Sequence, residues 1–314
     1  MKKLLLVIPL VILLCFTFGC QQGEKPTVEE TEEEVTSGIV NIDGFELPYF
    51  IEGTGIPCVV INDAPVMRRA LSKELREHFK FVFMDPRMNA PYDKSFDLAT
   101  MTLRTLVDDI ERLRKIVGLE KICLLGHSIN GLVALEYART YPEHTTHVIM
   151  NGTPPYLNDK AIRLGEEYWE SHAYEERKNI LKQNWDRMGD EIAKMPPGQA
   201  GIYTYIANTP KYWYDPKYDC SWLVEGVNWN AEIWNHLFNV IMADYDIKFR
   251  EKIPIPIFLS LGRYDFVVPY YMWDDFKDKF PNLSYNLFEK SGHWAFLEEQ
   301  ELFDKKLIEW IKSH

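Results

Sequence analysis

The chain has little cysteine: five in 314 residues, at Cys15, Cys20, Cys58, Cys123 and Cys220. Cysteines this few and this far apart do not read as a disulfide framework. Positive charge is also scarce, with 35 Lys and Arg against 47 Asp and Glu, a net charge of -12. That balance argues against nucleic acid as a main partner and against adsorption to anionic lipid by charge alone. The eight histidines include no convincing metal-ligand pair such as H-E-x-x-H, so no metal is expected. No internal repeat is evident, and one long apolar run stands out, from Leu4 to Phe18.

That run follows Met1-Lys-Lys and is short for a membrane-spanning helix, so it reads as a signal peptide. It ends Thr17-Phe-Gly-Cys20, which resembles a bacterial lipoprotein signal with Cys20 as the lipidated first residue of the mature protein. Residues 21–37 carry Glu24, Glu29, Glu30, Glu32, Glu33 and Glu34 and few apolar groups, the composition of a disordered tether. The expectation is a protein anchored at a bacterial cell envelope, with its folded part outside the cytoplasm.

From residue 38 onward, strand and helix signals alternate. Gly38–Asp43 and Phe45–Glu52 read as a leading strand pair, Val66–His78 as a helix, and Phe79–Met84 as a strand. Met101–Val117 reads as a helix with Leu103, Leu106, Val107, Ile110, Leu113 and Val117 on one face. Such alternation predicts a parallel, doubly wound α/β core. Residues 156–250 break the pattern. They are polar, helical in character and rich in aromatics, among them Trp169, Trp213, Trp222, Trp229 and Trp234. The reading is a helical cap inserted into a core made of 38–155 and 251–314, with some of its aromatics lining a pocket and more of them packing cap against core.

Chemistry enters at Gly126-His-Ser128-Ile-Asn130-Gly131. The apolar run Ile122–Leu125 precedes it and a helical run follows. A serine on so sharp a strand-to-helix turn has its hydroxyl pushed clear of the sheet. It also sits beside free N–H groups at a helix N-terminus, which favour negative charge. Asn130 stands where a second glycine is usual, and asparagine tolerates unusual backbone angles. A nucleophilic serine needs a base to take its proton and an acid to orient that base. Asp265 follows the strand run Ile255–Leu261, and His293 follows the strand run Leu283–Phe288. An amphipathic helix from Ala295 to Lys312 closes the chain. Strand ends are where open α/β sheets build their sites. His127 reads as a packing residue, and the remaining histidines read as ordinary surface or loop residues.

With Gly126–Gly131, Tyr141-Pro-Glu143, Asn151-Gly-Thr-Pro-Pro155, Gly262–Asp265 and Ser291-Gly-His293 in hand, residues 38–314 resemble the α/β-hydrolase fold family. Within it they resemble the proline iminopeptidase group and its esterase-like relatives. The resemblance implies an eight-stranded, mostly parallel sheet with helices on both faces and a helical cap. It implies Ser128, Asp265 and His293 as nucleophile, acid and base, with no cofactor. Two loops depart from the family. Asn62-Asp-Ala-Pro-Val66 replaces H-G-G-P-G, so that Ala64 and Ile129 would supply the oxyanion-hole N–H groups and Asp63 brings a carboxylate close. Asp85-Pro-Arg87 keeps the family Asp and Arg but loses the glycines that follow.

The implied activity is acyl transfer to water on a small ester, amide or short peptide. An aminopeptidase would need cap carboxylates to hold the substrate ammonium, and Glu225 and Glu232, with Trp229 beside them, are the candidates. A carboxylesterase or lactonase would not need them. A ligand-binding lipoprotein without catalysis is the reading from another class.

Overall fold

The computed structural model describes residues 36–195 and 199–314. The signal segment, Cys20 and most of the acidic tether lie outside the described residues.

Eight strands form one sheet in the order β1-β2-β4-β3-β5-β6-β9-β10. They are β1 Thr36–Ile42, β2 Phe45–Glu52, β3 Ile56–Ile61, β4 Phe79–Met84, β5 Ile122–His127, β6 Thr145–Asn151, β9 Ile257–Gly262 and β10 Leu283–Phe288. β1 and β2 pair antiparallel, as do β2 and β4; every other neighbouring pair is parallel. The parallel strands are continuous apolar runs because both faces are covered. Val59, Ile61, Val82, Met84 and Leu124 face one side, over α3 (Leu103–Ile116) and α4 (Ile129–Thr140). Cys58, Val60, Phe81, Phe83, Cys123 and Leu125 face the other, over α1 (Ala64–Ala70), α2 (Lys73–His78) and the C-terminal α11 (Gln300–Ser313). Cys58 and Cys123 are free thiols packed as small apolar groups.

Two expected helices are broken. The helix expected over Val66–His78 is two, because Leu71 is extended and Ser72 starts a new helix by accepting a hydrogen bond from the Leu75 N–H. The one expected over Ala295–Lys312 divides at Glu299 into α10 (Ala295–Glu298) and α11. Apolar periodicity runs through both breaks, so it does not register them.

The insertion between β6 and β9 is helical, with α5 (Asp159–His172), α6 (Glu175–Ile192), α7 (Ala200–Ala207), α8 (Thr209–Tyr212) and α9 (Ala231–His236). At its root, the two-residue strands β7 (Tyr156–Leu157) and β8 (Tyr245–Asp246) pair antiparallel and clip entry to exit. Among the described residues no helix is long and apolar enough to cross a membrane.

Loops that matter for chemistry leave the same edge of the sheet. The chain runs from β3 outward to β4, then returns across β3 to β5. Adjacent β3 and β5 therefore send their following loops apart and open a crevice between them, the usual ligand position in an open α/β sheet. Asn62–Ala64 and Ser128 border it; Asp265 and His293 follow β9 and β10.

Candidate active site

Ser128 occupies the turn between β5 and α4 with φ 57° and ψ −131°. An L-residue rarely adopts this conformation, which persists only where the surroundings impose it. Here they do. The Ser128 N–H donates to the Asn151 carbonyl at 2.8 Å, and its own carbonyl accepts from the Gly131 N–H at 3.0 Å. A Cβ on Gly126 would strike the Asn130 carbonyl, and one on Gly131 would strike the Thr153 side chain. Asn130 needs no unusual angle, contrary to the sequence expectation. It lies buried within α4 with φ negative, and the close approach that excludes a side chain falls on Gly131.

Asp265 and His293 meet. The His293 Nδ1–H donates to Asp265 Oδ2 at 2.6 Å. The N–H groups of Val267 and Val268 donate to the other carboxylate oxygen at 3.0 and 2.8 Å. Asp265 is 0 % exposed, so these bonds replace its water and fix its orientation. His293 and Ser128 line one cavity of about 550 Å³. Ile129 lines it too; as first residue of α4, its N–H has no carbonyl within its helix to bond.

His127 packs, as expected. Its ring lies 4.5 Å from the His293 ring and 4.2 Å from Trp294. Burial, then the neighbouring His293, holds its pKa well below the usual histidine value. It is therefore neutral at pH 7, with Nδ1–H donating to the Asn151 carbonyl at 3.1 Å.

Three expected site residues fall elsewhere. The Ala64 N–H does not face the cavity: it donates to Asp85 Oδ1 at 2.6 Å. That donor is thus engaged by the carboxyl after β4. Glu225 is exposed and outside the cavity lining. Glu232 is also exposed, and its carboxylate pairs with Lys94 at 2.8 Å and accepts from the Tyr92 hydroxyl at 2.9 Å. Trp229 does line the cavity, and its indole N–H donates to Asp63 Oδ2 at 3.2 Å. Asp63 Oδ1 accepts from the Val66 N–H and caps α1. Burial raises its pKa despite these bonds. The Asp63 carboxylate is thus engaged rather than free to oppose a developing oxyanion.

Asp85 was visible in the sequence only as the family aspartate. Burial first, then repulsion from Asp63, pushes its pKa up to about 7. The family arginine, Arg87, is 0 % exposed and bonds Asp109 in bidentate fashion at 2.5 and 2.8 Å. It also reaches Asp43 at 2.8 Å, so it ties the sheet to α3 and stays away from the cavity. Glu298 is a second carboxylate that sequence reasoning missed. It accepts from the N–H groups of Tyr214 at 2.6 Å and Gly292 at 2.7 Å. Burial, with the Asp265 charge adding to it, pushes Glu298 up to about 7.

The remaining cavity walls are mostly aromatic and apolar: Tyr205, Tyr212, Trp229, Trp234, Phe238 and Trp294. Trp213 and Trp169 instead pack the insertion onto the core, Trp213 lying parallel to Trp294 at 5.7 Å and Trp169 edge-on to Phe266. Among the described residues no cluster of three or more potential metal ligands occurs.

A strained serine between a parallel strand and a helix, with an Asp–His pair delivered by two later strand ends, belongs to one family architecture. Residues 62–300 match the α/β-hydrolase fold family. A relative in Bacillus subtilis, the AB hydrolase superfamily protein YclE, is 33 % identical over 277 residues, 88 % of this chain and 98 % of that protein. A proline iminopeptidase of Clostridium botulinum is 25 % identical over 235 residues, 67 % of this chain and 73 % of that one. The solved proline iminopeptidase-related protein of Thermus thermophilus superposes with TM-score 0.66 at 20 % identity, over 88 % of this chain and 97 % of the other. An esterase from Exiguobacterium antarcticum does so with TM-score 0.59, also at 20 % identity, over 87 % and 98 %. The chain belongs to the α/β-hydrolase family, and its sheet, site position and relatives are those of a hydrolase.

Asp85 makes stability depend on pH with a definite sign. Its folded pKa lies above the unfolded value, so between about pH 4 and 7 the folded chain holds the extra proton. Its contribution is complete at the acid end and is lost as pH rises through 7. Asp85→Asn keeps an acceptor for the Ala64 N–H and does not titrate. Its unfolding free energy in urea should match wild type near pH 4 and exceed it at pH 8, by at most about 4 kcal/mol for a shift of roughly three units. A variant whose stability declines with pH as steeply as wild type would contradict this.

Proposed function

We propose that the chain is a serine hydrolase for small uncharged esters with an apolar or aromatic acyl group. His293 takes the Ser128 proton, and Ser128 Oγ attacks the ester carbonyl carbon. Asp265 holds the His293 Nδ1–H and stabilises the imidazolium. The Ile129 N–H at the start of α4 stabilises the oxyanion. His293 then protonates the departing alkoxide, and water repeats the sequence on the acyl-enzyme, releasing the acid.

One observation favours esters over aminoacyl substrates. Among the described residues lining the cavity the sole carboxylate is Asp63, already bonded to the Trp229 indole and the Val66 N–H. Glu225 and Glu232 stand outside, so a substrate ammonium would meet aromatic walls with no free counter-charge. The names of the proline iminopeptidase relatives support the aminopeptidase as second reading. Its carboxylates would have to come from a rearranged cap.

The kinetic test is a comparison of p-nitrophenyl acyl esters with aminoacyl p-nitroanilides. Ester turnover should exceed anilide turnover by at least tenfold in kcat/KM, and Ser128→Ala should lower it by 10³ or more. Anilide preference with a KM raised by Glu232→Gln would favour the aminopeptidase. Turnover unaffected by Ser128→Ala would refute both, and its absence in a folded wild type would favour a binding protein.

The same reading keeps the protein at the bacterial cell envelope through a lipid on Cys20. Cys20→Ala should then move the full-length protein from the detergent phase to the aqueous phase in a Triton X-114 partition, and an unchanged partition would argue against the anchor.

A further inference from the structure

Arg177, on α6, is 1 % exposed, and its side-chain hydrogen bonds among the described residues go to main-chain carbonyls rather than to a carboxylate, with the Glu298 charge acting on it from nearby. Its two terminal nitrogens donate to main-chain carbonyls, while Nε is buried without a hydrogen-bond partner. Nη1 donates to Pro210 at 2.7 Å and Trp213 at 2.8 Å, and Nη2 donates to Tyr214. The two carbonyls between these go to the catalytic loops. Lys211 accepts from the Phe266 N–H at 3.1 Å, next to Asp265. Tyr212 accepts from the His293 N–H itself at 2.6 Å. Five successive carbonyls of one strap are thus divided between a buried cation and the loops that carry the acid and the base.

The far end of the strap is tied as well. The Tyr214 N–H and the Gly292 N–H share the Glu298 carboxylate, one on each oxygen. The Arg177 guanidinium also lies over the rings of Tyr264 at 5.7 Å and Phe266 at 5.3 Å, the residues either side of Asp265. A buried guanidinium is costly to leave unpaired; with Nε unpartnered, the three carbonyls bonded by the terminal nitrogens carry its compensation and are held in place. Burial lowers its pKa, yet an arginine remains charged.

The geometry points to Arg177 as a positioning residue for the hydrolysis, setting the distance between the Asp265 and His293 loops through the strap Pro210–Tyr214. The inference rests on the triad reading of Ser128, Asp265 and His293. It gives the insertion a second role besides lining the cavity: residues 210–214 form part of the scaffold of the acid–base pair.

The test uses the full folded chain with Arg177→Met, Arg177→Lys and Glu298→Gln. Ester kinetics are combined with the low-field proton NMR signal of the His293 Nδ1–H bonded to Asp265. Arg177→Met should unfold cooperatively, keep KM within about threefold, lose at least tenfold in kcat, and broaden or shift the low-field signal. Arg177→Lys, which restores donors and charge, should recover most of the kcat. A folded Arg177→Met with wild-type kcat and an unchanged signal overturns the inference, as does Arg177→Lys performing no better than Arg177→Met. If Arg177→Met does not fold, Glu298→Gln decides. It removes one of two acceptors at the other end of the strap and should show the same kcat loss and signal change; wild-type behaviour overturns the inference. If Ser128→Ala leaves turnover intact, the triad reading fails and this inference with it. If Ser128 is required and the strap variants are silent, this inference alone fails.

Discussion

Ser128 is held at φ 57°, ψ −131°, and the rest of the site follows from keeping it there. A residue in that conformation relaxes unless its neighbours prevent it, at a cost of order 1–3 kcal/mol. The restraint comes from the centre of the molecule. β5 is hydrogen-bonded on both sides, the Ser128 N–H is fixed to the end of β6, and Thr153 fills the space opposite Gly131. α4 is buried almost all round, so the helix that starts at Ile129 does not swing to relieve the turn. The strained turn places Ser128 on the cavity, and Ile129, the first residue of α4, lines the same cavity with an N–H that has no carbonyl within its helix to bond.

Asp265 and His293 are held by different means. Asp265 accepts two loop N–H groups and the imidazole, so a fully buried carboxylate is satisfied without a cation. His293 is fixed by its main-chain N–H as well as its ring. Around them stand carboxylates whose pKa values burial has raised, Asp63, Asp85 and Glu298. Each accepts at least one backbone N–H, Asp63 also the Trp229 indole, and each shapes a loop: Asp63 the start of α1, Asp85 the β3 loop, Glu298 the His293 loop. None replaces Asp265 as the partner of the imidazole.

The parts legible in the sequence are those that local rules determine. Apolar runs ending in small or polar residues mark β4, β5, β9 and β10. The Gly126–Gly131 turn and the two later strand ends that carry Asp265 and His293 single out the same three residues from sequence order alone. What sequence position does not carry is direction. Ala64 sits at the right place for an oxyanion donor, but where its N–H points depends on Asp85, 21 residues away. Glu225 and Glu232 lie on a segment that does cover the cavity, yet on its outer side, and polar helices offer no periodic signal strong enough to tell the sides apart. In the sequence Arg177 is one more charge in a polar helical segment; its burial depends on carbonyls 33 to 37 residues on. The expectation for Asn130 failed because the close approach to Thr153 falls on Gly131, one residue later.

The central claim is that Ser128 is an activated nucleophile, which a fluorophosphonate probes without knowledge of the substrate. Intact-mass measurement of the folded chain after exposure should show one stoichiometric adduct, located on the peptide that contains Ser128 and absent from Ser128→Ala. A well-folded wild type that takes up no adduct, or takes it up elsewhere, would contradict the account.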